Sequence, residues 1–193
     1  MISAIILAAG QSKRMGQPKM LLPWGHRTVI EQVVTTFLQA GIEDILVVTG
    51  GAREQVESAL AALPVREIYN PDYATGDMLS SLQHGIRALS ETAKAALIGL
   101  GDQPQIQAGS VRLICDMYKS SRSNLLVPSF NRKRGHPWLV SRSLWGEILA
   151  LKPSETLRDF LNDHADEIQY VNMDTPTILA DLDTPEDYEN SRP

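Results

Sequence analysis

Arg14, Lys19, Asp102, Asp181 and Asp183 are the residues whose type and setting suit chemistry, although they are spread along the whole chain. Arg14 and Lys19 lie in IILAAGQSKRMGQPKMLLPW, residues 5–24, where an apolar run gives way to a stretch with no apolar period that carries Gly10 and Gly16. Glycines let backbone N–H groups face an anion without a Cβ in the way, and basic side chains add charge-assisted hydrogen bonds. The spacing matches neither common phosphate fingerprint. Five residues separate Gly10 from Gly16, Gln17 follows where a lysine is needed, and G-x-G-x-x-G is absent. By composition alone, a solvated surface loop is as good a reading as an anion site.

Asp102 ends the apolar run of AALIGLGDQP. A carboxylate at the end of a core strand costs several kcal/mol to bury unless it is paired or bound to a cation, and a hard cation such as Mg2+ shared with phosphate oxygens meets that need. A turn or capping aspartate is the alternative. In DLDTPEDY, Thr184, Pro185, Glu186 and Asp187 form a helix start: a cap, a proline at the first position and acids in the first turn. Asp181 and Asp183 precede it, two residues apart and so on one side of an extended segment, where either or both can reach a metal held by Asp102.

Three further segments carry polar groups at element ends. NPDYATGDMLSSLQHG places Gly76, Ser80 and Ser81 at a helix start, with Asp77 beside the glycine. VTGGA places Thr49, Gly50 and Gly51 at the end of a strand. NRKRGHPWLV clusters Arg132, Lys133, Arg134 and His136 around Gly135, in what reads as a hairpin tip. His26, His84 and His164 lack metal-ligand spacing and read as surface or packing residues. Cys115, the single cysteine, sits at helical spacing in VRLICDMY and reads as a buried, inert thiol; no internal disulfide is available.

The elements that must position these groups alternate. SAIILA, DILVVTG, VREIY, AALIGL, LLVPS, PWLVS and IQYVNM read as strands, several of them apolar on both faces. Between them lie helix candidates: VIEQVVTTFLQA capped by Thr28 and ended by Gly41, REQVESALAAL stopped by Pro64, DMLSSLQHGIRALS, and VRLICDMYKS led by Ser110. This βαβ pattern implies an α/β, Rossmann-like fold: a mostly parallel sheet with helices on both faces, and a small antiparallel annex in the last third. Ligands of such sheets collect at the carboxyl ends of the strands, where each motif above falls. The 193 residues suit a single domain over 1–193. A net charge of −5 argues against a nucleic-acid partner, and the apolar run at Ile5–Ala9 is too short for a membrane span, so a cytoplasmic protein is expected.

LAAGQSKRMGQPKMLL resembles the LAAG-x-S-x-R-M-G-x-x-K-x-L-L signature of the MobA-like NTP transferases, the molybdenum-cofactor nucleotidyltransferases. GDQP is similar to that family's G-D-x-P, DLDTPED to its D-I-D-T-P-E-D ending, and NPDYATGDMLSSLQHG to its N-x-x-x-x-x-G-M-x-x-S-L-x-x-G segment. RGHP resembles the cytidylyl branch. The resemblance covers nearly the whole chain and implies the nucleotide-diphospho-sugar transferase-like fold. It also implies transfer of a nucleoside monophosphate, CMP from CTP, to the terminal phosphate of a molybdopterin-type cofactor, with Mg2+ and release of pyrophosphate. A molybdoenzyme would be the recipient of the product. The implied nucleotide contacts are Leu7, Ala8, Ala9, Gly10, Arg14, Gly16, Lys19, Thr49, Gly50, Gly76, Ser80 and Ser81. Lys19, Arg14 and Asp102 would be catalytic, Asp102 with Asp181 or Asp183 would hold metal, and Arg134, Gly135 and His136 would meet the acceptor. A sugar-1-phosphate nucleotidyltransferase, a GTP-using guanylyltransferase and a nonenzymatic cofactor-binding chaperone are the alternatives.

Overall fold

The computed structural model describes residues 1–121 and 123–193. Its elements run β1 (Ile2–Ala8), β2 (Pro23–Trp24), β3 (Arg27–Thr28), α1 (Val29–Gln39), β4 (Asp44–Thr49), α2 (Arg53–Leu60), β5 (Arg66–Tyr69), α3 (Met78–Arg87), β6 (Ala95–Leu100), α4 (Ala108–Ser120), β7 (Leu125–Phe130), β8 (Lys133–Arg134), β9 (Trp138–Ser141), α5 (Trp145–Ala150), α6 (Leu157–Asp163), β10 (Ile168–Asn172) and α7 (Pro185–Ser191). Short 3-10 turns lie at Lys19–Leu21, Arg142–Leu144 and Pro176–Leu179.

The main sheet has the strand order β10-β7-β9-β6-β1-β4-β5, with β8 paired to β7. β1 is parallel to β4 and β6, and β7 is parallel to β10. The antiparallel addition in the last third is β9, inserted between β6 and β7 and opposed to both, with the β7–β8 hairpin beside it. Asn131 and Arg132 turn that hairpin with φ of 49° and 65°, the left-handed pair that a two-residue loop requires. A separate two-stranded sheet pairs β2 with β3 near the front of the chain, where no strand was expected.

Strand β1 shows why the apolar runs are unbroken. Ala4, Ile6 and Ala8 enter one apolar layer, with Ile30, Val33 and Phe37 of α1 and Val111 and Ile114 of α4. Ile5 and Leu7 enter the other, with Leu79 and Leu82 of α3, Trp145 of α5 and Phe160 of α6. Successive side chains alternate between two buried faces, so neither face can be polar. Each fully buried Leu or Ile contributes roughly 2 kcal/mol of transfer free energy.

Helix ends follow their caps. Thr28 and Glu31 form a capping box at α1, and Asp77 caps α3 by accepting from the Leu79 N–H at 2.8 Å. Asp77 is therefore a helix start signal and not an intrusion into the motif. Ser110 does not cap α4: the helix begins at Ala108 behind Gln107, and Ser110 is buried in its first turn, its N–H bonded to the Gln107 carbonyl. Cys115 is buried in the same helix, and burial pushes its thiol pKa up to about 11, which keeps it protonated and unreactive. No helix among the described residues is long and apolar enough to cross a membrane.

A third, smaller apolar cluster joins the two ends of the chain. Met15 of the first loop packs with Leu22, Val29, Leu182 and Tyr188, and the Tyr188 hydroxyl donates to the Pro23 carbonyl at 2.6 Å. This clasp brings the segment before α7 against the loop after β1.

Candidate active site

The loop after β1 is held by its own backbone. The Met15 and Gly16 N–H groups donate to the Ser12 carbonyl, and the Lys19 N–H donates to the Ser12 hydroxyl at 3.0 Å. Ser12 and Gly16 both take left-handed φ, 51° and 70°; the glycine does so without steric cost. Met15, buried between Arg14 and Gly16, anchors the loop and leaves its polar neighbours outward. Gln11 reaches across to the Ala74 carbonyl at 3.2 Å, tying the loop to residues 71–77.

Lys19, at the foot of this loop, lies between two carboxylates. Its Nζ is paired with Asp102 Oδ2 and, at 3.2 Å, with Asp183 Oδ1. Arg14 Nη1 meets the other oxygen of Asp183 at 3.1 Å. The Lys19 and Asp102 side chains are each 13% exposed, whereas Arg14 is 72% exposed, so the first pair is strongly felt and the last is screened. Burial alone would lower the Lys19 pKa; the Asp102 and Asp183 charges outweigh it and raise the pKa, holding the ammonium charged. Asp181 turns the other way and accepts from Gln103 Nε2. Its pKa is raised by burial first and then by the negative charge of Asp102, against the pull of Gln103. Leu182, fully buried between Asp181 and Asp183 in sequence, donates its N–H to the Asp102 carbonyl at 3.1 Å and ties their segment to Asp102.

These groups border a cavity of about 620 Å³ at the carboxyl edge of β1 and β6. Of the expected residues, Leu7, Ala9, Gly10, Arg14, Lys19, Gly76, Ser81, Asp102, Asp181 and Asp183 line it. Gly16 lines an adjoining hollow of about 380 Å³, on the side of Gly51 and Ala52. Ala8, Thr49, Gly50 and Ser80 lie behind the lining. Thr49 is buried and bonds the Ile68 carbonyl, and a Cβ on Gly50 would overlap the Ala9 carbonyl oxygen, so this glycine permits the loop's approach to β4.

Arg134, Gly135 and His136 are not in the lining. Arg134 donates to the Tyr170 hydroxyl at 2.9 Å and to Asn162 Oδ1 at 3.0 Å. Gly135 lies against Ile178, and the His136 N–H donates to the Ile178 carbonyl at 3.0 Å, so this segment supports the chain leading to Asp181. His136 stacks on Trp138 with ring centroids 4.8 Å apart; burial drops its pKa to about 4, so the imidazole is neutral at neutral pH. His26 and His84 stay outside the lining, and His164 pairs with Glu147 at 3.0 Å.

Sequence reasoning did not assign Gln11, Ser12, Lys13, Met20, Tyr73, Met78 or Leu100, which also line the cavity, or Gln103, which orients Asp181. Gln103 stands beside Asp102 in GDQP, and that adjacency was the available signal.

Among the described residues, no group of three or more His, Cys, Asp or Glu side chains is gathered so as to cage a metal ion. The donor set nevertheless fits a hard divalent cation completed by substrate. Asp102 and Asp181 are close enough for one charge to raise the pKa of the other, and one or two carboxylates plus phosphate oxygens is the usual Mg2+ arrangement.

A mostly parallel α/β sheet with a basic, glycine-bearing loop and carboxylates at its carboxyl edge fits one class of protein, the nucleotidyltransferases. The chain belongs to the MobA-like NTP transferase family, whose domain matches residues 4–168. It is 31% identical to the molybdenum cofactor cytidylyltransferase of Escherichia coli K12, over 97% of this chain and 93% of that one. It is also 28% identical to nicotine blue oxidoreductase of Paenarthrobacter nicotinovorans, over 96% and 93% of the two chains. Among solved structures, Rv0371c of Mycobacterium tuberculosis H37Rv superposes with a TM-score of 0.86 at 28% identity, covering 98% of this chain and 96% of that one. The same protein has also been solved as a manganese complex.

Proposed function

We propose that this protein transfers CMP from CTP to the terminal phosphate of a molybdopterin-type cofactor, releasing pyrophosphate. The observation that carries the proposal is the convergence of Arg14, Lys19, Asp102, Asp181 and Asp183 from opposite ends of the chain on one cavity. The likeness to the molybdenum cofactor cytidylyltransferase supports the choice of substrates. The cytoplasm, where nucleoside triphosphates are at hand, is the proposed location.

The acceptor phosphate monoester has a second pKa of about 6, so at neutral pH its oxygen is already an anionic nucleophile. No general base is required. That oxygen attacks the α-phosphorus, the bond to the β-phosphate breaks, and pyrophosphate leaves with the electron pair. The work of the chain is alignment and charge stabilisation. Backbone N–H groups of the Ala9–Gly16 loop receive the triphosphate, and Arg14 and Lys19 neutralise charge that builds on the separating phosphates. Asp102, with Asp181 or Asp183, would hold Mg2+, which would supply neutralisation of phosphate charge. Leu7, Gly76 and Ser81 face the nucleoside. Arg134, Gly135 and His136 flank the acceptor's approach beside the Ile178–Asp183 segment. His136 contributes there as a neutral ring stacked on Trp138.

The test is pyrophosphate release with each nucleoside triphosphate and Mg2+, with molybdopterin cofactor or sugar 1-phosphates as acceptor. Release with CTP that depends on molybdopterin cofactor is the expected result. Preference for GTP corrects the nucleotide, and preference for a sugar phosphate corrects the acceptor. Tight cofactor binding with no pyrophosphate from any triphosphate replaces the transferase with a cofactor-binding chaperone.

A further inference from the structure

Asn70 is fully buried at the end of β5, and every polar atom of its side chain is used. Its Oδ1 accepts from the Asp72 N–H at 2.9 Å, which fixes which end of the amide is oxygen. Its Nδ2 therefore donates in the other direction, to the Ser80 and Ser81 hydroxyl oxygens at 3.0 Å each. Ser80 passes its own proton to the Asp77 carbonyl at 3.1 Å. Ser81 is 5% exposed and lines the cavity, and among the described residues its hydroxyl proton meets no acceptor.

We infer that Asn70 is a positioning residue that turns the Ser81 proton into the nucleotide cavity, so that the base held there presents an acceptor to it, a carbonyl oxygen or an unprotonated ring nitrogen. This rests on the nucleotidyltransferase reading and sharpens it. A hydroxyl with no fixed partner rotates and serves donor and acceptor groups alike. Here one lone pair is already satisfied by an amide whose orientation the backbone sets, while the proton has no acceptor among the described residues, so a ligand acceptor is the unmet need of this buried hydroxyl. The carbonyl edge of cytosine satisfies that proton, whereas an amino edge leaves it without a partner.

Asn70→Asp tests the polarity with almost no change of shape. The carboxylate still accepts from Asp72, but it now takes the serine protons as well, which turns a Ser81 lone pair toward the cavity. Binding of CTP, UTP, ATP and GTP with Mg2+ is measured by calorimetry at pH 8, beside kcat at saturating CTP. Asn70→Asp is expected to weaken CTP binding by about tenfold and to change the order of preference among the four nucleotides, with kcat changed less than KM. Ser81→Ala removes the donor while keeping Asn70, and the double variant should bind CTP no worse than Ser81→Ala alone. Folded Asn70→Asp protein with wild-type CTP affinity, or with all four affinities falling in parallel, overturns the inference alone. A wild-type protein that binds none of the four overturns the transferase reading and this inference with it. If Asn70→Asp does not fold, unchanged nucleotide preference in Ser81→Ala overturns the inference by itself.

Discussion

Acidification should unfold this protein partly through one imidazole. His136 is half-buried as a residue, but its Nε2 is fully enclosed with no hydrogen-bond partner among the described residues, and burial drops its pKa from the usual 6.5 to about 4. The unfolded chain therefore binds a proton on this residue at a pH where the folded chain does not, and stability falls as pH drops from about 6.5 to about 4. Above this window the contribution is fully present; below it both states are protonated. Across the window it amounts to about 3 kcal/mol, of which ~2 kcal/mol is lost by about pH 5. The comparison is urea unfolding of wild type and His136→Phe at about pH 7, 6 and 5; the phenyl ring keeps the stacking on Trp138 and cannot titrate. Carboxylates contribute equally to both proteins, so the difference between the curves isolates His136. The wild type should lose ~2 kcal/mol more than the variant between about pH 7 and 5. Parallel curves would refute the enclosed, neutral imidazole.

The charge cluster makes further predictions. Lys19→Ala and Asp102→Ala should each lower kcat by about 100-fold or more in a pyrophosphate-release assay. Lys19→Ala should also be the less stable in urea, because it leaves three carboxylates facing one another. Asp181→Asn should raise the midpoint of thermal unfolding at neutral pH, since burial and Asp102 disfavour its charged form. The gain should be below about 1 kcal/mol because solvent reaches the carboxylate, and transferase activity should fall in the same variant. Met15→Ala, which empties a buried position in the clasp, should cost about 2–4 kcal/mol in urea unfolding and weaken nucleotide binding, because the loop loses its anchor; unchanged affinity would show that the loop holds its shape without it.

Much of this was legible because it is local. The unbroken apolar runs of β1 and β6 follow from two buried faces, and the long polar stretch after β1 marked a loop that lines the cavity. Asp102 and the Asp181 and Asp183 alternation were readable as carboxylates with no local partner, and Leu182 between them is buried as an alternating pattern requires. What escaped depends on distant pairing. Nothing near Trp138–Ser141 says that β9 enters between β6 and β7, and the strands β2 and β3 are too short to show a period. Helices α5 and α6, with six and seven residues, offer too few turns for an apolar stripe. Arg134 carried the charge expected of an anion contact, but it is turned toward Tyr170 and Asn162, partners set by folding far along the chain. Asn70 was visible only as the first letter of a motif; its part depends on which way its amide faces.

The clasp of Met15, Leu22, Val29, Leu182 and Tyr188 bears on when this site comes into being. Lys19 and Asp183 are 164 positions apart, and the contact between them waits on the last helix. During synthesis the loop after β1 leaves the ribosome early, while Asp183, which pairs with Arg14 and Lys19, has yet to be made. A nascent chain thus exposes a basic loop before the segment that carries Asp183, its ion-pair partner, has been made. Loss of the final helix should accordingly silence the site while most of the sheet still folds.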